Sequence, residues 1–315
     1  MNVRRHLPLE LSGRSFATQE AIAYGVTLSR LRASDLVTPT RGIRVPWDSA
    51  PTPVGIVRPL LAVMPDAVAS FITAARIWGV PLPPRFRDDF SLHVTRPPKT
   101  PLSERPGIVC HRMRLGEPDV VLHQGVRLTS PLRTLLDLAG VLPRDDIVAI
   151  GDHLVCEHPA GFPAPRDPLY RIEQIGAYLE AQRRVRGLPA AKRALNLVRV
   201  GADSVPETKL RLAIVDAGLP EPVLNYVIRD RFGRAVAWPD QAFVEARFVV
   251  QYDGEHHRTA EQQASDNWRN RFVADEGWDQ LVVSNTDVRR SGWDGVARVI
   301  GQRLARAQSR AQLSA

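Results

Sequence analysis

The residues best suited to chemistry gather in the last third of the chain: Asp240, then Gln251, Asp253, His256 and His257, with Glu207 upstream. Successive strand residues face opposite ways, so in the apolar run from Phe248 to Asp253 the side chains of Gln251 and Asp253 share one face, while Val250 and Tyr252 take the other. A preceding strand paired alongside brings Asp240 next to them. The carboxylate pair Asp240 and Asp253, with imidazoles just beyond, suits a hard divalent cation, Mg2+ or Mn2+, beside a proton-transfer group. On a phosphodiester such an ion polarises the phosphate and lowers the pKa of the attacking water, and a histidine or a second water manages the proton. Each residue also has a plainer role. Ser204-x-x-Glu207 reads equally as a capping box, and Glu207 with Arg211 is an i,i+4 pair. Asp253-Gly254 reads as a turn after a strand, and Asp240 after Pro239 as a strand cap. As an ordered set on a helix-strand-strand-strand-helix frame, the metal-site reading is favoured.

The elements that must position these residues begin with a helix after Ser204, carrying Leu210, Leu212 and Ile214 and ending near Gly218. Strands follow at 223–229, in a segment ending Trp238-Pro239-Asp240, and at 248–253. A helix with Asp266, Trp268, Arg269 and Arg271 comes next, then Gly277-Trp278 and a last strand at 280–284. Far upstream, Thr18 to Tyr24 reads as a helix ended by Gly25, and Thr27 caps a second helix with Leu28, Leu31 and Leu36 on its apolar side. Thr40 to Val45 adds a turn and strand, so residues 1–50 read as a winged helix-turn-helix. Arg30 and Arg32 on its second helix, with Arg41 and Arg44 in the wing, either meet DNA or form a solvated face. Pro46 to Pro59 reads as a linker. Residues 51–157 make a middle α+β domain, with a helix at 66–78, strands at 91–95, 108–113 and 120–128, and a helix from Ser130-Pro131 to Ala139. A second Pro/Gly-rich linker at 158–168 precedes helices at 172–184 and 190–198. Residues 158–200 are thus a linker with basic helices, and 201–315 a C-terminal α/β domain. Lys192, Arg193 and Lys209 belong to a basic flank suited to phosphate contacts.

Lys plus Arg exceed Asp plus Glu by 42 to 34, a formal charge of +8 across 315 residues, which points to DNA as partner. Only three of those cations are lysines (Lys99, Lys192, Lys209), a bias that codon composition alone also produces. No apolar run reaches the length of a membrane span, and no secretory signal opens the chain, so the cytoplasm is expected and a membrane is not. Cys110 and Cys156 stand far apart and read as two buried thiols, without disulfide or zinc spacing. His93, His111, His123 and His153 are scattered and read as structural.

The run Pro239-Asp240, then Val249-Val-Gln-Tyr-Asp-Gly-Glu-His-His257, then Asp266 with Arg271 and Gly277-Trp278, resembles a domain of unknown function related to very-short-patch-repair endonucleases. That domain belongs to the PD-(D/E)XK restriction-endonuclease superfold, and the likeness covers about a third of the chain. Upstream, the winged helix and Arg127-Leu-Thr-Ser-Pro-Leu-Arg-Thr-Leu-Leu-Asp137 resemble the AbiEi family, transcriptional antitoxins of type IV toxin-antitoxin systems common in actinobacteria. The resemblance implies a restriction-endonuclease-like C-terminal domain with Asp240 as metal-binding aspartate, Asp253 and His257 or His256 near the metal and attacking water, and Glu207 as the acid of the first helix. Gln251 departs from the pattern, standing where such domains usually carry glutamate. Two functions follow. One is a metal-dependent DNA endonuclease of phage defence or DNA repair. The other is a non-catalytic AbiEi-like regulator with a degenerate nuclease domain and a toxin or other protein as partner. Gln251, and the absence of lysine where Asp253 stands, favour the regulator. Asp240, Asp253 and the two histidines favour the nuclease, to which the balance leans.

Overall fold

The computed structural model describes residues 6–49, 52–101, 105–158, 162, 164–254 and 273–313. Over these it is a mixed α+β chain whose strands fall into several small sheets. It divides into two units, Met1–Leu142 with Tyr178–Ala191, and Pro143–Ala177 with Lys192–Ala315.

In the first unit, β1 (Phe16–Ala17) runs into α1 (Thr18–Ala23), and β2 (Leu36–Val37) and β3 (Ile43–Pro46) complete a small antiparallel sheet with β3 central. Leu11, Phe16, Ala21, Val26, Leu31 and Leu36 form its core. The helix expected after Thr27 contracts to one 3-10 turn, Arg30–Arg32. Thr27 Oγ1 still accepts from Arg30 N (3.3 Å), but Arg30 clamps both carboxylate oxygens of Asp35 (2.9 and 2.8 Å), which closes the segment on itself and turns it into β2.

The expected linker at Pro46 to Pro59 contains α2 (Pro53–Val63), capped by Thr52, whose Oγ1 accepts from Gly55 N (3.1 Å). Pro59 lies inside this helix and cannot donate to the carbonyl of Gly55; the Ser15 hydroxyl donates to that carbonyl instead. β4 (Val68–Ala69), α3 (Phe71–Trp78), β5 (Leu92–Arg96), β6 (Ile108–Arg112), β7 (Val120–His123) and β8 (Val126–Thr129) follow, and the strands form one mixed sheet in the order β6-β5-β4-β8-β7. α4 (Pro131–Leu138) starts on the Ser130 cap, whose Oγ accepts from Arg133 N (3.2 Å). Arg133 is buried between Asp119 (2.9 Å) and Asp137 (2.8 Å), and Tyr178 donates to Asp119 (2.7 Å). The motif around Arg127 to Asp137 thus caps a helix and fills an ionic core.

The second unit opens with α5 (Arg144–Val155); the division between units falls within α6 (Ile172–Ala181) and α7 (Leu188–Leu195). α8 (Val205–Asp216) begins at Ser204, with Pro206 in its first turn. It is clasped to α5 by Asp152, which accepts from Arg211 Nη2 (2.9 Å), Thr208 Oγ1 (2.9 Å) and Arg199 N (2.7 Å). The strand expected over 223–229 is reduced to a single bridge at Val223 and β9 (Ile228–Arg229), because Asn225 at φ 54° interrupts the extended chain. β9 pairs with β10 (Ala235–Ala237), and Pro239 separates β10 from β11 (Gln241–Phe243). Asp240 therefore precedes a strand and does not end one. β12 (Phe248–Asp253) lies between antiparallel β11 and parallel β13 (Asp279–Ser284). One face of this sheet buries Phe248, Val250 and Val283 against Leu210 and Ile214 of α8 and against Ile300 and Leu304 of α9 (Asn285–Leu313), which breaks at Gly292. Among the described residues, no helix is long and apolar enough to cross a membrane.

Candidate functional site

The β11–β12 register sets Gln241 opposite Val250 and Ala242 opposite Val249. Asp240 immediately precedes β11 and so enters the site from the turn before that strand. Asp240 Oδ2 accepts from Tyr252 N at 2.6 Å, which fixes the carboxylate against β12. In the parallel pairing, Gln251 lies beside Val282 and Asp253 beside Ser284. Gln251 and Asp253 thus share one face of β12 near its carboxyl end, and Asp240 is bound to the β12 backbone between them at Tyr252, all three half-buried. Gln280 belongs with them: its Nε2 donates to Gln251 Oε1 at 3.2 Å. Nothing in the sequence marks Gln280, because only the parallel register of β13 brings it here. Behind this face, the Tyr252 ring packs toward Trp293 and its hydroxyl donates to Asn285.

Of the two roles the sequence leaves open for Glu207, its contacts are those of a helix cap. Its Oε1 accepts from Ser204 Oγ (2.7 Å) and its Oε2 from Asp203 N (2.8 Å), while its own N–H donates to Ser204 Oγ (3.3 Å). This is a variant of the capping box in which the carboxylate accepts from the residue before the N-cap and from the N-cap hydroxyl. Burial raises the Glu207 pKa, opposed by the hydrogen bonds from Ser204 and Asp203. Its backbone carbonyl accepts from Gln241 Nε2 (3.0 Å), which ties the start of α8 to β11 beside Asp240. His256 and His257, like Asp266, Trp268, Arg269 and Arg271, lie outside the described residues.

The candidate DNA contacts separate into two groups. Arg32, Arg41 and Arg193 are exposed, and Lys192 is half-buried. Arg30, Arg44 and Lys209 have intramolecular partners instead of an open face. Arg30 holds Asp35. Arg44 donates to the carbonyls of Leu31 (2.8 Å) and Ile43 (2.9 Å), and burial lowers its pKa. Lys209 Nζ lies 2.8 Å from Asp146.

Fold and site together define a mixed α+β chain whose second unit gathers acidic and amide side chains at the end of a short sheet. Over 176 residues, 54% of its length, it is 30% identical to two uncharacterized proteins of Mycobacterium tuberculosis, from strains CDC 1551 / Oshkosh and H37Rv. The chain spans 59% of the length of these curated relatives. No family model matches the chain, and no solved structure does.

Proposed function

We propose that this chain is a DNA-binding protein whose C-terminal unit is a restriction-endonuclease-like domain with a metal-dependent phosphodiesterase site at Asp240, Gln251 and Asp253. The observation that carries this reading is the Asp240 carboxylate held on the β12 backbone by Tyr252 N–H, next to Gln251 and Asp253 on one face of that strand. Two carboxylates and an amide oxygen suit a hard divalent ion such as Mg2+ or Mn2+. A bound ion would polarise a phosphate and acidify the attacking water. Asp240 supplies fixed negative charge, Asp253 a second carboxylate, and Gln251 a dipole in place of a charge. In this reading His256, His257 or a second water takes the proton, and Glu207 positions α8 against β11. The +8 charge and the exposed Arg32, Arg41 and Arg193 support a polyanionic partner. Residues 1–50 serve as a winged-helix reader in this account, by their resemblance to the AbiEi family.

Two observations favour a second reading, a non-catalytic regulator with a toxin or other protein as partner. Gln251 is neutral, and the Glu207 carboxylate is taken up by its helix cap. Either reading places the chain in the cytoplasm with its DNA. Incubation of the full chain with supercoiled plasmid and Mg2+ or Mn2+ separates them: nicking or linearisation is expected of the enzyme, and DNA binding without cleavage under every divalent ion of the regulator.

A further inference from the structure

Three side chains that the carboxylate site does not use converge elsewhere in the second unit. Cys156 follows α5 and is fully buried, His158 stands two residues on, and Asp203 immediately precedes the Ser204 cap of α8. A two-way bridge with Arg166 pins the backbone of His158 (N to Arg166 O 2.8 Å, Arg166 N to His158 O 3.1 Å), and the Phe162 ring stacks on its imidazole. Cys156 Sγ lies 3.2 Å from Asp203 Oδ1 and 3.9 Å from His158 Nε2, and Nε2 lies 3.1 Å from the same Asp203 oxygen.

The second ring nitrogen decides what these distances mean. His158 Nδ1 is 3.1 Å from the carbonyl oxygen of Ala164, which can only accept, so Nδ1 carries a proton. In the neutral ring, Nε2 then directs its lone pair toward the sulfur and the carboxylate. The thiol then donates to Asp203 Oδ1, at the place an ion would take. A divalent cation between the sulfur, Nε2 and the carboxylate satisfies all three. Tetrahedral zinc bonds of about 2.3 Å to sulfur and about 2.0–2.2 Å to nitrogen and oxygen separate ligand atoms by roughly 3.4–3.6 Å. The observed separations of 3.1 to 3.9 Å bracket that range.

We propose that Cys156, His158 and Asp203 form a metal site of the zinc class, separate from the oxygen-ligand group at Asp240. Thiolate with imidazole selects a borderline-soft ion, where the Asp240 group suits a hard one. Binding releases the thiol proton, and thiolate and carboxylate then balance the two charges of the ion. The Nδ1–H bond to a backbone carbonyl is the outer contact that orients a ligating histidine. Asp203 keeps about half its side chain in solvent, which gives the ion an entry path and water a fourth position. The site would staple the end of α5 to the start of α8. The competing arrangement is a protonated His158 paired with Asp203, with Arg166 and Glu207 also facing the group.

This site is independent of the phosphodiesterase reading, and its test needs no activity. The full chain, stripped with chelator, is titrated with Co2+ while the near-ultraviolet thiolate-to-cobalt charge-transfer band is followed, and Zn2+ is then added. The band should saturate at one equivalent and be displaced by Zn2+. Cys156→Ser should abolish it, while Cys110→Ser and Asp240→Asn leave it intact. Asp203→Asn, at an exposed side chain whose loss spares the core, should weaken cobalt binding about tenfold or more. A folded parent that gives no band overturns the proposal, as does a band retained in Cys156→Ser or an affinity unchanged by Asp203→Asn.

Discussion

The Asp240 carboxylate is bound to the β12 backbone at Tyr252, next to Gln251, and what separates an ion site from a mere polar pair is the missing charge at Gln251. Glutamine matches glutamate in shape and lacks its Coulomb attraction for a cation. Gln251→Glu therefore adds a half-buried carboxylate beside Asp240 and Asp253. Thermal unfolding in metal-free buffer should shift down for this variant and recover on adding Mg2+ or Mn2+, because the ion binds the folded state alone. A melting temperature that metal leaves unmoved would count against an ion at this position. At this scale the sequence was legible where one strand's alternation sets the answer, as for Gln251 and Asp253. It was silent where the partner comes from a distant element. Lys209 to Asp146 is such a case, and it converts a candidate functional charge into a structural one. Cys156-x-His158 stayed hidden for the same reason, since its third member, Asp203, arrives from the other side of α7 in sequence.

Among the elements, the α5–α8 clasp is the most exposed to a single change. Asp152 and Arg211 each keep only about 1% of their side chains in solvent. Removing one partner strands a buried charge, and Asp152→Ala should lower the unfolding free energy by about 3–5 kcal/mol in urea titrations. A loss below about 1 kcal/mol would mean that solvent or Glu221, also 3.3 Å from Arg211, takes over. In the first unit, His111 stacks on Phe71 and lies 3.1 Å from His93. Burial, then the charges of His93 and Arg186, pull the His111 pKa down to about 4. The unfolded chain takes up this proton near the ordinary value of about 6.5, so between those values it binds more protons than the folded chain. Stability should fall as pH drops from about 6.5 to about 4, and His111→Phe should flatten that decline in melting temperature. His93, also lowered by burial, keeps a residual slope. An unchanged pH profile in the variant would contradict the assignment. Helices with strong caps, at Ser130-Pro131 and Ser204-Val-Pro-Glu207, were legible in the sequence. α5 was not, because it is buried on most sides and shows no apolar stripe. α2 was hidden by prolines, one of which leaves a carbonyl that the Ser15 hydroxyl serves.

For the whole molecule the decisive property is the excess of arginine. The fold narrows which arginines can meet a polyanion, since Arg32 and Arg41 are exposed where Arg30 and Arg44 are engaged. Replacing Arg32 and Arg41 by Ala should reduce the slope of log affinity against log salt by about two, near one for each phosphate no longer neutralised, on any duplex. An unchanged slope would assign both to the solvated face. The central claim, a metal-dependent phosphodiesterase site built on Asp240, is tested most directly by the plasmid-cleavage rate and DNA affinity of Asp240→Asn beside the parent, with Mg2+ or Mn2+. The account predicts cleavage by the parent, none by the variant, and an affinity unchanged or slightly raised by removal of the negative charge. Cleavage persisting in a clean preparation of Asp240→Asn would contradict it.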